Sequence, residues 1–241
     1  MRKYIKELEN ELGRNIDLKY KDGAIRFFKE EVNPLGVRTG KVRKIALIFY
    51  SENKNKFSKE DWITLCEALW QEKIGGKSVS CFEYGIIINQ ILKKLVKNLE
   101  KKDFYIFEKW IDKYVTNWAH CDILCAGIIG EIIRKYPILT NETLTWVKSK
   151  NRWKKRASAV CYIKLSIEKK FLPTIFKTSK LLINESDDLV QKGYGWALKD
   201  ASKNYKKEVI EFLLKNKNMP RTALRYACER LSKEEKEKIL Y

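Results

Sequence analysis

Apolar residues recur along this chain at spacings of three and four. Ile5, Leu8 and Leu12 set the pattern, and Trp62, Leu65, Cys66 and Leu69 repeat it. Phe104, Phe107, Ile111, Tyr114 and Val115 continue it, as do Val209, Phe212 and Leu213. A period of 3.6 residues puts such positions on one stripe of an α-helix. No run of strict alternation suggests a strand, and the β-branched residues sit at helical spacing. Breaks fall at Asn33-Pro34-Leu35-Gly36, Gly75-Gly76-Lys77-Ser78, Tyr136-Pro137 and Asn218-Met219-Pro220, where proline and glycine end helices. Counting them predicts about a dozen to fourteen helices of roughly one to two dozen residues each.

Three helix starts follow one another at intervals of roughly 35 residues. They are Asn117-Trp118-Ala119-His120-Cys121-Asp122, Asn151-Arg152-Trp153-Lys154-Lys155-Arg156 and the segment from Ser186-Asp187-Asp188 to Gly193-Tyr194-Gly195-Trp196. Each opens on a small polar residue suited to capping a helix. Recurrence of helix starts at a fixed period marks a stacked helical-repeat chain, in which equivalent positions line up on one face. Short connections make neighbouring helices antiparallel. The expected fold is all-α: a HEAT-like helical-repeat solenoid of antiparallel helix pairs, curved, with a basic concave groove. No composition shift marks a boundary, and cutting a solenoid exposes core, so residues 1–241 are expected to form a single domain.

Charge turns this scaffold into a binding surface. Lys and Arg number 50 against 31 Asp and Glu, a formal balance of +19, and the natural partner is rich in phosphates. A lysine-biased proteome is the bland alternative, and no segment looks like a basic amphipathic membrane anchor. The six cysteines are scattered through helix-like stretches rather than clustered, as free thiols of a reducing cytoplasm are. The longest apolar runs, residues 45–50 and 85–88, fall short of a membrane span. No basic-then-apolar leader opens the chain. A cytoplasmic protein that engages no membrane is expected.

The aligned helix starts hold the candidate chemistry. Trp118 and Asp122 are four apart, hence on one helix face. An indole beside a carboxylate could hold a sugar and oppose positive charge. A core tryptophan with an acid that caps or pairs with a lysine is at least as good a reading of the pattern alone. Arg156 ends the run Lys154-Lys155-Arg156 and needs only reach to contact a phosphate. Asp187 and Asp188 look like helix-start acids. Gly193 and Gly195 flank Tyr194 just before Trp196, and each weakens a helix by roughly 1 kcal/mol against Ala. Close helix packing or close approach of a ligand must compensate, and packing is the commoner cause. Gly75-Gly76-Lys77-Ser78 imitates the end of a phosphate-binding loop but lacks its first glycine and a preceding strand. His120 with Cys121 and Cys125 does not complete a zinc site. The lone histidine lacks a Ser or Cys partner at a recognisable turn.

Trp118-Ala119-His120-Cys121-Asp122, Asn151 to Ser158, Gln191 to Leu198 and Met219 to Ala227 stand in an order and spacing that resemble the AlkD-type DNA alkylation-repair family. Its members are monofunctional DNA glycosylases built from HEAT-like repeats. The resemblance covers nearly the whole chain and is clearest from about residue 110 onward. It implies that Asp122 is the essential carboxylate, that Trp118 and Trp196 wall the deoxyribose of the lesion nucleotide, and that Arg156 contacts the DNA backbone. It further implies excision of cationic N-alkylated purines, such as 7-methylguanine and 3-methyladenine, with the damaged base left largely in the duplex. Phe27 stands where the family has a tyrosine and Arg38 where it has a glutamine. Both are implied to face DNA.

The implied chemistry suits these residue types. An alkylated purine is a good leaving group, so the demand falls on cationic charge at the sugar, which a carboxylate and indoles stabilise. The expected partner is double-stranded DNA containing alkylated bases, engaged by a monomer without metal or cofactor. Lys154, Lys155, Lys164, Lys192 and Lys199 flank the matched segments and are the expected phosphate contacts. Two other readings stay open: a non-catalytic relative that binds distorted or branched DNA, and a HEAT-type protein-interaction scaffold.

Overall fold

The computed structural model describes residues 1–241 and is helical from end to end. It divides into two compact units, Met1–Leu124 and Cys125–Tyr241. The first holds α1 (Arg2–Gly13), α2 (Leu18–Phe27), α3 (Thr39–Asn53), α4 (Lys59–Gln71), α5 (Phe82–Leu95), α6 (Lys101–Lys113) and α7 (Trp118–Leu124). The second holds α8 (Gly130–Lys135), α9 (Thr140–Thr145), α10 (Arg152–Val160), α11 (Leu172–Leu181), α12 (Asp188–Ala201), α13 (Lys206–Lys215), α14 (Arg221–Ala227) and α15 (Lys233–Leu240).

Alternate helices stack within each unit, as a helical repeat requires. In the first unit α1 packs on α3, α3 on α5 and α5 on α7. Ile5, Leu8 and Leu12 bury the inner stripe of α1, and α5 is buried almost all round. Lys59 at the start of α4 reaches Glu100 and Asp103 at the start of α6, at 2.9 and 3.1 Å. In the second unit α10 packs on α12 and α12 on α14, while α13 packs on α15.

The expected breaks all fall between helices, but the helices are shorter and more numerous than the periodicity predicts. There are fifteen, from six residues in α8 and α9 to fifteen in α3. Tighter 3-10 turns at Val96–Asn98, Trp146–Lys148 and Leu165–Ile167 interrupt stretches whose apolar spacing runs on unbroken. A π-helical turn, Cys125–Ile129, follows α7. The sole strand-like feature is an isolated parallel bridge between Asn33 and Cys81. No helix is long and apolar enough to cross a membrane. All six cysteines are buried thiols outside any disulfide.

Candidate active site

The start of α7 is fixed by a small polar lock. Asn117 Oδ1 accepts the backbone amide of His120 at 2.9 Å, capping the helix. His120 Nε2 faces the carbonyl of Phe82 on α5 at 3.1 Å, so that nitrogen carries the proton. Nδ1 therefore keeps its lone pair and accepts from Asn117 Nδ2, also at 3.1 Å. The ring stacks on Phe82 at 5.6 Å between centroids and meets Trp70 edge-on. It fits because residue 85 is glycine; a Cβ there would run into the imidazole. Burial drives the His120 pKa down to about 4, so the ring is neutral. The ring ties α7 to the start of α5, and no group of three or more His, Cys, Asp or Glu side chains is placed to hold a metal ion.

That lock presents Trp118 and Asp122, both half-buried, on one face of α7. Trp118 stacks on Phe28 at 5.1 Å and meets Phe27 edge-on at 5.9 Å. Phe28 in turn meets Phe82 at 5.5 Å. With Tyr20, these rings line an open pocket of about 580 Å³, with Lys19 and Arg38 among its walls. Phe27 is 71% exposed. Arg38 lies over the Tyr20 ring, 5.3 Å from its centroid, and pairs with Asp17 at 2.9 Å. Asp17 also caps α2 through the Tyr20 amide; that bond first, and Arg38 second, holds its carboxyl below the ordinary range.

A buried carboxylate holds the segment leading into Arg38. Glu83, 0% exposed, accepts the backbone amides of Leu35, Gly36 and Val37 at 2.8, 2.9 and 3.0 Å. Gly36 sits at φ +104°, and a Cβ on it would lie 2.8 Å from the Asp17 carbonyl oxygen. Only glycine satisfies both the turn and that approach. The first turn of α5 thus anchors two walls of the pocket: the Leu35–Arg38 segment through Glu83, and α7 through Phe82 and Gly85.

In the second unit Asn151 caps α10 and Asp187 caps α12, as their positions predict. Arg156 is 5% exposed and donates from Nη1 to the Leu189 carbonyl in the first turn of α12. Its Cγ passes 3.2 Å from where a Cβ on Gly193 would stand. Leu189, Gly193 and Trp196 share one face of α12 by helical spacing, so the guanidinium runs along the face that bears the half-buried Trp196. Gly195 answers to packing: a Cβ on it would meet Tyr226 Cβ at 2.7 Å and the Ala223 oxygen at 2.8 Å. The Gly193 and Gly195 anomaly is thus close helix packing.

The lysines divide. Lys164 is exposed, and Lys154 lies over the Trp146 ring at 6.0 Å. Lys155 pairs with Glu185, Lys192 with Asp188 at 2.9 Å and Lys199 with Glu229 at 2.8 Å. Gly75 and Gly76 form an exposed left-handed turn at φ +62° and +69°, short of the start of α5.

Phe27, Arg38 and Trp118 therefore meet in one pocket of the first unit, while Arg156 and Trp196 share one helix face of the second. Sequence reasoning did not single out Tyr20, Phe28, Phe82 or Glu83. The family description "DNA alkylation repair enzyme" matches residues 8–231. The chain belongs to the DNA alkylation repair enzyme family. A predicted DNA alkylation repair enzyme from Enterococcus faecalis has a similar fold, with TM-score 0.77 and 17% identity over 91% of this chain and 98% of that one. The crystal structure of smu.31 from Streptococcus mutans UA159 is also similar, with TM-score 0.57 and 19% identity over 80% and 92% of the two chains. A comparison with curated proteins finds no match. At such identities the solved structures speak for the fold, and family membership rests on the match across the chain. DNA alkylation repair is accordingly this protein's field of action.

Proposed function

We propose that this alkylation repair protein is a monofunctional DNA glycosylase. It hydrolyses the N-glycosidic bond of N-alkylated, cationic purines such as 7-methylguanine and 3-methyladenine in duplex DNA, opening base excision repair. The observation that carries this reading is the pairing of a carboxylate with an indole, Asp122 with Trp118, on one face of a helix locked by Asn117 and His120.

Alkylation leaves a formal positive charge on the purine. When the bond between C1′ and the ring nitrogen breaks, its electron pair goes to the purine, which departs neutral. Positive charge passes to C1′ and the ring oxygen of the sugar. Asp122 and the Trp118 ring stabilise that charge. Water adds at C1′ and gives its proton to Asp122 or to solvent, as a carboxylate base allows. The products are the free base and an abasic sugar, and the step balances with water alone. Arg156 serves the DNA backbone, and Trp196 offers an indole to the nucleotide. Lys154, Lys155, Lys164, Lys192 and Lys199 supply charge for phosphates.

The test is release of methylated purine from alkylated duplex DNA, beside a binding titration at two salt concentrations. Asp122→Asn is expected to lower release by about 10²–10³-fold with binding retained. Full activity of that variant would remove Asp122 from the mechanism. Salt-sensitive binding with no base released would make the protein a non-catalytic DNA binder, and weak binding would favour the scaffold.

A further inference from the structure

The helices α4 and α6 of the first unit are tied to each other at both ends. At their starts Lys59 reaches Glu100 and Asp103 at 2.9 and 3.1 Å. At their far ends the Tyr114 hydroxyl donates to Glu67 at 3.1 Å and accepts from Gln71 at 2.9 Å. A groove of about 410 Å³ lies along the two helices, with Ile63, Ile106 and Trp110 as its apolar lining. Trp110 is 1% exposed, and its indole Nε1 donor has no acceptor. A buried donor left unpaired is a cost that an acceptor on a bound partner can relieve. None of the lining residues belongs to the site around Trp118 and Asp122.

The two walls carry opposite charge. Glu60 and Glu67 stand seven apart on α4, and Lys102, Lys109 and Lys113 follow one another at spacings of seven and four on α6, so each set shares a helix face. Glu60 and Lys102 approach to 4.0 Å at one end, while Lys109 and Lys113 stand exposed farther along. Counting Asp103, three acids and three lysines line the groove. In a chain of net charge +19, a groove so balanced offers a phosphate backbone no surplus of positive field. It matches instead a surface that is itself two-signed, with an apolar stripe between its charges. From Asp103 to Tyr114 the chain rises about 16 Å, the length of three helical turns.

We propose that the groove between α4 and α6 docks an amphipathic helix of another protein. That helix is about three turns long, lays its apolar stripe over Ile63, Ile106 and Trp110, and carries bases toward α4 and acids toward α6. The inference does not rest on the glycosylase reading. None of the groove's residues is among those assigned to DNA, so the partner and a duplex can be held together.

The experiment titrates the full chain, at near-physiological salt, with three labelled synthetic helices that share one apolar stripe. Their flanks are of opposite sign, both basic, or both acidic. The two-signed helix is expected to bind at least roughly tenfold more tightly than either of the others. Lys109→Glu combined with Lys113→Glu makes both walls acidic and should hand the preference to the all-basic helix, a reversal that misfolding cannot produce. Tightest binding of the all-acidic helix to the unmutated chain would reduce the effect to overall positive charge and overturn the proposal. An unchanged ranking in the double variant, or no binding of any helix, overturns it as well. So does displacement of the two-signed helix by duplex DNA, which would put nucleic acid in the groove. Self-association of the free chain that the two-signed helix disrupts, followed by sedimentation, would give the groove to a second copy and likewise overturn the partner-protein assignment. Base excision, assayed separately, bears on the glycosylase reading alone.

Discussion

Asn117 and His120 hold each other at two points, Oδ1 to the backbone amide at 2.9 Å and Nδ2 to ring Nδ1 at 3.1 Å. The ring's other nitrogen is committed to the Phe82 carbonyl. Burial penalises the charged ring and holds the His120 pKa near 4 rather than 6.5, against the Phe82 carbonyl, which pulls it up. The unfolded chain takes up a proton as pH falls through about 6.5, and the native chain does not until about 4. Protonation in that window therefore favours unfolding, and stability falls as pH is lowered through it. The full loss is about 3 kcal/mol. Urea melts of wild type and His120→Gln between pH 7.5 and 4.5 check this. The wild type should lose its advantage progressively below pH 6.5; parallel pH profiles for the two proteins would rule it out.

Glu83 serves three backbone amides with two oxygens, in a site with no solvent exposure. Glu83→Leu leaves the Leu35, Gly36 and Val37 amides buried without acceptors. Such a change costs roughly 3–5 kcal/mol. Glu83→Gln keeps one good acceptor and should fall between the two. The released segment carries Arg38, so duplex DNA binding should weaken along with the urea midpoint. An unchanged midpoint for Glu83→Leu would mean that these amides find other partners.

How far these features could be read in the sequence follows from how local their causes are. Asn117, Asn151 and Asp187 cap helices by bonding two or three residues ahead, so their neighbours reveal them. The shared face of Trp118 and Asp122 follows from spacing alone. Gly193 and Gly195 announced a close approach but not its partner. That partner is supplied by Arg156 and by Ala223 with Tyr226, from other helices. Phe82 and His120 are 38 residues apart, and Glu83 and Gly36 are 47 apart. A carboxylate that serves backbone amides leaves no side-chain pattern to detect. Helix lengths were over-read because 3-10 turns preserve apolar spacing while changing the hydrogen bonds.

The two glycines of α12 should answer differently to alanine. Gly195→Ala drives a methyl to 2.7 Å from Tyr226 Cβ and 2.8 Å from a backbone oxygen of α14. Backbone cannot step aside, so a loss of roughly 1–3 kcal/mol is expected despite better helix propensity. At Gly193 the nearest atom is Arg156 Cγ at 3.2 Å, on a flexible side chain. Gly193→Ala should leave thermal stability near wild type while shifting the guanidinium and lowering base excision. A Gly195→Ala protein as stable as wild type would contradict the packing seen between α12 and α14.

Three of the lysines expected to meet phosphate already hold an acid: Glu185 on Lys155, Asp188 on Lys192 and Glu229 on Lys199. The Lys199 ammonium, which also lies 5.8 Å from the Tyr226 ring centroid, holds the Glu229 carboxyl below its ordinary pKa. If these lysines bind DNA, phosphate must displace the carboxylate, and the acid acts as an internal competitor. Exposed pairs are weak, about 0–1 kcal/mol, so the competition is modest. Glu229→Gln should tighten duplex binding about two- to fivefold. It should also steepen the dependence of log K on log salt by up to about 0.9, the value for one further phosphate contact. Net charge alone would raise affinity too. Glu52→Gln, an exposed acid on α3, makes the same charge change at a residue that is none of these lysines' ion-pair partners. Fluorescence anisotropy at two salt concentrations distinguishes them: a larger gain for Glu229→Gln places Lys199 on DNA, and equal gains take it off.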